Sequence, residues 1–353
     1  MNMLFIPHVP NLKVINRVYE LAKSTDSYFL YWEIDNSSLK HKIISQLQSL
    51  QFRQDNKIVQ IPLLFKPEKL SIRFNTMMLN HLIDKLDIDV VINANALLFD
   101  IANIKVPVFY DMVDDHLEVN DSIGLTPHRV KKIEVDLRAS KGVLCVTSLV
   151  EEKVKPLNAK TITLENGLYF ERFNRATSRK KLLGLEGKKV FGFIGGIEEW
   201  TGLEEAIVNY LKIKSDSTAF LVVGGNEGSY FKRLKERYAK DIDFVGAVSP
   251  LEVADYFKSI DVGLIPFVLN DFTNNALPIK ALEYGYMGKP VISTPLVYLK
   301  QSSFPFIYYA PIERFDRLMQ QELTFKPFAF DGYDWSVLGK KLEAFVSSVE
   351  GVE

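Results

Sequence analysis

Leu264 to Pro295 reads LIPFVLNDFTNNALPIKALEYGYMGKPVISTP, and the order of its parts decides the fold. An apolar strand ends at Pro266 and a polar loop follows from Asn270 to Asn275. A helix carrying Lys280 and Glu283 comes next, then a Gly-Lys-Pro turn into a second strand, Val291 to Thr294. Strand, loop, helix and strand in this span have the size of one βαβ unit, and open α/β sheets place ligands at the carboxyl ends of their strands. The loop feeding the helix is suited to an anion or a polyol. Backbone N–H groups near Ala276 to Ile279 would face phosphate oxygens, and Lys280 would add a full charge.

Outward from this stretch the same alternation covers the chain. Upstream, strands are expected at Val190–Ile194, Ala219–Val223, Asp243–Gly246 and Asp261–Ile265, with helices at Leu203–Leu211, Tyr230–Tyr238 and Pro250–Lys258 between them. An earlier series has strands at Leu4–Ile6, Tyr28–Ile34, Lys57–Pro62, Asp89–Asn93, Pro107–Asp111, around Cys145 and at Lys160–Leu164. Helices over Leu12–Ala22, from Ser37 or Ser38 to about Leu50, to near Leu86, over Thr126–Arg138 and from Leu149 separate them. Repeated β-then-α order means α/β architecture with parallel, doubly wound sheets. Asn166-Gly167 breaks the pattern, so the expected domains are 1–168 and 169–330, both Rossmann-like, with a cleft between them. Residues 331–353 close the chain as an amphipathic helix with Trp335, Leu338, Leu342 and Phe345 on one face.

Composition narrows the class. With 353 residues, two cores are expected; 47% apolar and 25% charged residues are ordinary for a globular enzyme. A net charge of -1 gives no argument for nucleic acid, and Lys131-Lys132 and Arg179-Lys180-Lys181 read as solvated helix faces or a hinge. Cys145 is the single cysteine, in an apolar strand, and reads as a buried thiol in a reducing compartment. The N-terminal residues lack the pattern of a signal peptide, and no apolar run approaches membrane-spanning length. A cytoplasmic protein is expected, with peripheral contact at the inner membrane face left open.

Glycines mark the expected ligand loops. Gly195 and Gly196 follow the first strand of the second series, Gly224-Gly225 follow another, and Gly246 a third. A nucleotide lying against these strand ends competes with the reading that they merely make tight turns. No G-x-G-x-x-G follows either first strand, which disfavours a dinucleotide. Asp87/Asp89 and Asp241/Asp243 sit at strand entries, the wrong end for a site, and no His/Cys cluster exists, so no metal is expected. Asp111, Asp114, Asp115 and His116 follow a strand at its carboxyl end, where crowding of three carboxylates would raise at least one pKa. The alternative is a loop whose aspartates cap the next helix. His8, after the first strand, is a weaker candidate, while His41, His81 and His128 read as surface or capping residues. Glu283 shares a helix face with Lys280 and would accept both hydroxyls of a ribose; a surface ion pair is the bland alternative.

Ala276-Leu-Pro-Ile-Lys-Ala-Leu-Glu-Tyr-Gly-Tyr-Met-Gly-Lys-Pro-Val-Ile292 resembles the donor-site signature of GT-B glycosyltransferases of family 4. Val108–Asp111, Leu144–Ser148, Glu165–Leu168 with Phe173, Phe193–Gly196 and the Trp335 helix stand in the order that family shows. Bacterial glycosyltransferases of the teichuronic-acid type are the nearest relatives suggested. The resemblance implies a GT-B fold with two domains facing a cleft and metal-independent, retaining transfer of a hexose. The donor, a UDP- or GDP-sugar, would bind the C-terminal domain, and a glycan or lipid-linked acceptor the N-terminal domain. It implies that Glu283 binds the ribose, that Gly195 and Gly196 lie by the diphosphate, and that Gly246 to Val248 lie by the base. Gly224 and Leu277 fall in the same donor-binding set, and the last helix would cross back to the N-terminal domain. Departures are visible: Asn275 stands where the family has a glutamate contacting the donor sugar, and Ile197 and Thr201 replace an Arg and a Lys that neutralise the diphosphate. Asp111 replaces a frequent histidine. Lys280 is the expected substitute charge, and Asp111 with Asp114 or Asp115 would meet the acceptor hydroxyl. The expected role is cell-surface or exopolysaccharide synthesis. A non-catalytic GT-B scaffold or partner subunit, and a sugar-nucleotide epimerase, are the competing readings.

Overall fold

The computed structural model describes residues 1–8, 17–32, 53–65, 68–119, 125–225 and 228–351. The chain divides into two compact units, one formed by Met1–Asn166 with Trp335–Glu353, the other by Gly167–Asp334. His41, the whole helix expected from Ser37 or Ser38 to about Leu50, the end of the strand expected at Tyr28–Ile34, and the first part of the helix expected from Leu12 lie outside the described residues.

The first unit holds β1 Met3–Ile6, β2 Tyr28–Leu30, β3 Arg53–Asp55, β4 Ile58–Gln60, β5 Val90–Asn93, β6 Val108–Met112, β7 Gly142–Cys145 and β8 Thr161–Thr163. They lie in the order β3-β4-β2-β1-β5-β6-β7-β8. The central strands β1, β5, β6 and β7 are buried from end to end, as the apolar runs of a parallel sheet covered on both faces require. One strand departs from the all-parallel expectation: β3 pairs antiparallel with β4 through a turn in which Asn56 takes a left-handed φ of 50°. β3 is a solvated edge of charged and polar residues, which is where a sheet tolerates them.

The last helix, Trp335–Glu350, belongs to this first unit. It lies on the Arg17–Ser24 helix, with Gly339 so close to Ser24 that a Cβ would collide with it. Phe345 meets Phe109 edge to face at 5.9 Å.

The second unit holds β9 Lys189–Gly195, β10 Thr218–Gly224, β11 Asp243–Gly246, β12 Val262–Ile265, β13 Val291–Ser293 and β14 Ile307–Tyr309, all parallel, in the order β11-β10-β9-β12-β13-β14. This is the 3-2-1-4-5-6 arrangement of doubly wound sheets, and its direction reverses between β9 and β12. Crossovers on the two sides of that reversal diverge to opposite faces, which leaves a crevice at the carboxyl ends of β9 and β12. In the first unit the reversal lies between β1 and β5. The fold therefore names one crevice per unit, the first opening beyond Ile6 and the second beyond Gly195.

Candidate functional site

The helix Ile279–Tyr286 supplies the second crevice with its charges. Tyr284 anchors it: the ring is fully buried, packs edge to face on Phe257 at 4.8 Å, and its hydroxyl donates to the Gly192 carbonyl at 2.8 Å. Only glycine fits beneath that ring, since a Cβ on Gly263 of β12 would collide with it. Lys280 lies one helical turn before Tyr284, so the anchor turns it onto the same face, toward the β9 loop. Its Nζ sits 3.7 Å from the Phe193 ring centroid and 5.1 Å from that of Phe267. A Cβ on Gly195 would come within 3.1 Å of the same ammonium. Lys280 and the Gly195-Gly196 loop thus meet at the topological switch point.

Burial lowers Lys280 to about 7 against the opposing pull of Glu283, and raises Glu283 to about 7 against the pull of Arg172 and Lys280. Neither forms an ion pair among the described residues, although both keep part of their surface at solvent. Two aromatic faces cradle the ammonium in place of a carboxylate, which makes it attractive to an incoming anion.

The glycines separate into two kinds. Gly195, Gly224 and Gly246 have φ of 131°, 110° and 86°, conformations that favour glycine with or without a ligand. A Cβ at Gly224 would also strike the Gly195 carbonyl. Gly196 is exposed, has no such φ, and nothing lies within 4 Å of where its Cβ would be. Of these four loop glycines it is the one whose identity the fold itself does not explain.

Asn275 is half-buried at the end of a short helix, Asp271–Asn274, inside the stretch expected as loop. Asn270 starts that helix with a reciprocal cap: Thr273 N donates to its side chain at 2.9 Å, and its own N donates to Thr273 Oγ1 at 3.0 Å. Leu277 is buried, and Val248 is half-buried in the loop after β11. Ile197 and Thr201 are both buried, with the Thr201 hydroxyl donating to the Glu198 carbonyl at 2.6 Å, so neither position offers charge.

In the first unit, the loops after β1 and β6 gather a polar cluster that the sequence only half disclosed. Asp111 is fully buried and receives both of its hydrogen bonds from Arg17 Nε, at 3.0 and 3.1 Å. Arg17 Nη1 donates to the Glu165 carbonyl at 2.8 Å, while its Nη2 is buried with no hydrogen-bond partner among the described residues. Asp115 is buried against Lys153 at 2.7 Å, and Lys153 also reaches Glu118 at 2.8 Å. Asp114, half-buried, has no ion-pair partner among the described residues. Mutual repulsion is not the leading cause of the raised pKa values of Asp111 and Asp114, contrary to expectation. Burial raises Asp111, opposed by Arg17; burial also lifts Asp114 to about 7, opposed by Arg17 and aided only secondarily by Asp115. Asp111 is thereby committed to an internal ion pair, and Asp114 is the carboxylate poised to exchange a proton near neutrality.

His8 and His116 complete the cluster. Burial lowers His8 to about 4, helped by His116 and Arg17, and lowers His116 to about 4 against the pull of Asp115, so both are neutral at pH 7. His8 lies at the first unit's own switch point, with its Nδ1 buried and without a hydrogen-bond partner among the described residues. Arg17, Lys153 and Arg172 escaped the sequence reading, being far along the chain from the carboxylates they face. Cys145 is buried and its thiol is pushed up by burial, as an inert strand thiol should be. Among the described residues no group of three or more His, Cys, Asp or Glu side chains is placed to hold a metal ion.

The two α/β units match those of GT-B proteins over the whole chain. Anabaena Alr3699/HepE, solved in complex with UDP-glucose, aligns at TM-score 0.72 and 13% identity, covering 99% of this chain and 100% of that one. Sucrose-phosphate synthase from Thermosynechococcus elongatus aligns at 0.73 and 12%, covering all of both chains. The fold is GT-B. Residues 188–301, within the second unit, match the family model for glycosyl transferases group 1. A protein provisionally assigned to teichuronic acid biosynthesis as a glycosyltransferase, TuaH of Bacillus subtilis (strain 168), is 29% identical over 163 residues. That match covers 45% of this chain and 40% of the relative, so the chain spans less than half the length of the curated relative it matches.

Proposed function

We propose that this chain is a glycosyltransferase that takes a sugar from a nucleotide donor to a glycan or lipid-linked acceptor. The observation that carries the reading is the Lys280 ammonium at the Gly195-Gly196 loop, in the switch-point crevice of the unit that matches glycosyl transferases group 1. The diphosphate of a UDP- or GDP-sugar would lie on that loop, beside Gly224, with Gly196 permitting close approach and Lys280 opposing its charge. Glu283 would receive the ribose hydroxyls, Gly246 and Val248 the base, Leu277 an apolar edge, and Asn275 the donor sugar.

Transfer breaks the bond from the anomeric carbon to the diphosphate oxygen and forms one to an acceptor oxygen, whose proton must leave. Protonated Lys280 would stabilise the departing diphosphate in low-dielectric surroundings, which is the role a metal fills in other systems. Asp114, with Asp111 and Asp115 fixed beside it by Arg17 and Lys153, would stand near the acceptor hydroxyl. Retention at the anomeric carbon, hexose transfer, metal independence and a role in cell-surface or exopolysaccharide synthesis at the inner membrane face complete the reading. Relatives of this kind support it: Alr3699/HepE was solved with UDP and with UDP-glucose.

The test is a thermal-shift panel of UDP-, GDP-, ADP- and TDP-sugars followed by donor hydrolysis with and without EDTA. One sugar nucleotide should raise the melting temperature and slowly release nucleotide, EDTA making no difference. Neither binding nor turnover across the panel would favour a scaffold, a reading supported by the uncharged, buried Ile197 and Thr201.

A further inference from the structure

The first unit carries an outer surface that the donor and acceptor reading does not use. Helix Glu68–Leu86 joins β4 to β5, and helix Pro127–Ala139 joins β6 to β7. Both crossovers move the same way across the sheet, so right-handed connection puts both helices on one face. They are neighbours there: His128 Nε2 lies 3.6 Å from Glu68 Oε1, and a shallow groove of about 530 Å³ beside them is lined by Ile72 and Val135 together with His128, Lys131, Lys132, Asp100 and Asp136.

The solvent side of this pair is unusual in two respects. Leu70, Met77 and Val135 are 63%, 59% and 58% exposed, three large apolar side chains held out on two adjacent helices. Interleaved with them at helical spacing stand Lys69, Arg73, Lys131 and Arg138, all exposed and none in an ion pair among the described residues. The acids of the same helices are fewer and partly spent: Asp84 pairs with Lys105, Asp136 pairs with Lys132 at 2.7 Å and Glu134 is half-buried, which leaves Glu68, beside His128, as the exposed carboxylate. The balance of free charge on this face is positive although the chain as a whole is at -1.

We infer that this two-helix face docks the protein onto an anionic lipid bilayer, with Leu70, Met77 and Val135 entering the interface and the four cations meeting headgroup phosphates. Aliphatic side chains alternating with lysine and arginine that make no ion pair among the described residues suit a fluid apolar boundary bearing negative charge. A nucleic acid partner would call for stacking aromatics, which this face lacks. The inference adds a surface to the lipid-linked acceptor reading, and its test does not depend on that reading.

The experiment is co-sedimentation of the whole chain with phosphatidylcholine vesicles, with and without phosphatidylglycerol. Binding is expected only with the anionic lipid and should fade with added salt. Arg73→Glu/Lys131→Glu should weaken partition about tenfold or more, and Leu70→Ser/Met77→Ser should weaken it at every salt concentration. Substitutions at these exposed positions should leave both the unfolding midpoint and the donor-induced thermal shift unchanged, so loss of docking and failure of the donor reading are separable. Equal binding by the charge-reversed variant, or no binding to either vesicle, overturns the inference. Capture of soluble polyglutamate with no vesicle binding would also overturn it, marking the face as a dock for an acidic protein.

Discussion

Each unit ends its first strand at its own switch point, yet the two crevices handle their desolvated cations in opposite ways. Around the first, Arg17 is matched by Asp111 and Lys153 by Asp115. Around the second, Lys280 rests between two aromatic rings without a carboxylate partner, and Glu283 beside it is likewise unpaired among the described residues. A charge paired in the interior is part of the scaffold. A charge desolvated without pairing costs stability until an opposite charge arrives, so it is better adapted to a ligand.

The largest effect expected from this contrast is on folding. Arg17→Ala should cost about 3–5 kcal/mol in urea unfolding, because it strands the Asp111 carboxylate, and Arg17→Met/Asp111→Leu should regain most of the loss. Lys280→Ala should do the reverse: unchanged or higher stability, with UDP-sugar affinity down about tenfold to hundredfold in calorimetry. If Lys280→Ala destabilises the fold as Arg17→Ala does, the contrast is wrong.

Gly224→Ala and Gly196→Ala sharpen it within the donor loop. The first should cost about 1–3 kcal/mol of stability, from its φ of 110° and the Gly195 carbonyl in its path. The second should shift stability by less than about 0.5 kcal/mol and still reduce donor affinity.

The last test is a pH dependence. Lys280 stands at about 7 in the folded chain against 10.5 for an ordinary lysine. Between those values the unfolded state binds the extra proton, so this group makes stability rise with pH across that window, and Lys280→Met should remove the rise. Donor binding by the ammonium should correspondingly weaken as pH climbs above about 7 in wild-type calorimetry, and the slope should vanish in the variant.

What could be read without coordinates was what repeats locally. The apolar runs of β9, β10 and β12 announced themselves, and the helix expected at Leu203–Leu211 has those ends. β3 did not, because Arg53-Gln-Asp55 has neither apolar alternation nor burial and is a strand only by pairing with β4. The helix Asp271–Asn274 was hidden by its polarity, although its Asn270/Thr273 cap was there to be read. Lys280 and Glu283 stood out by helical spacing, and Tyr284, four residues after the lysine, was an available clue to what holds it. Arg17 lies 94 residues from Asp111, and Lys153 lies 38 from Asp115, distances over which no pattern in the sequence signals a pair. Their absence is why repulsion among aspartates looked decisive when burial in fact leads.

The return of Trp335–Glu350 to the first unit also bears on how the chain is made. Leu168 bridges to Asp334, with Leu168 N donating to the Tyr333 carbonyl at 2.7 Å, so residues 167–334 form an insert whose two ends lie side by side. During synthesis this insert can close as soon as it has emerged, whereas the unit begun first is finished after it. Until the final helix leaves the ribosome, the surface of Arg17–Ser24 that will receive it stays uncovered. Nascent chains stalled before residue 335 should therefore present a completed second unit beside an unfinished first one, and it is the N-terminal unit that would call on a chaperone.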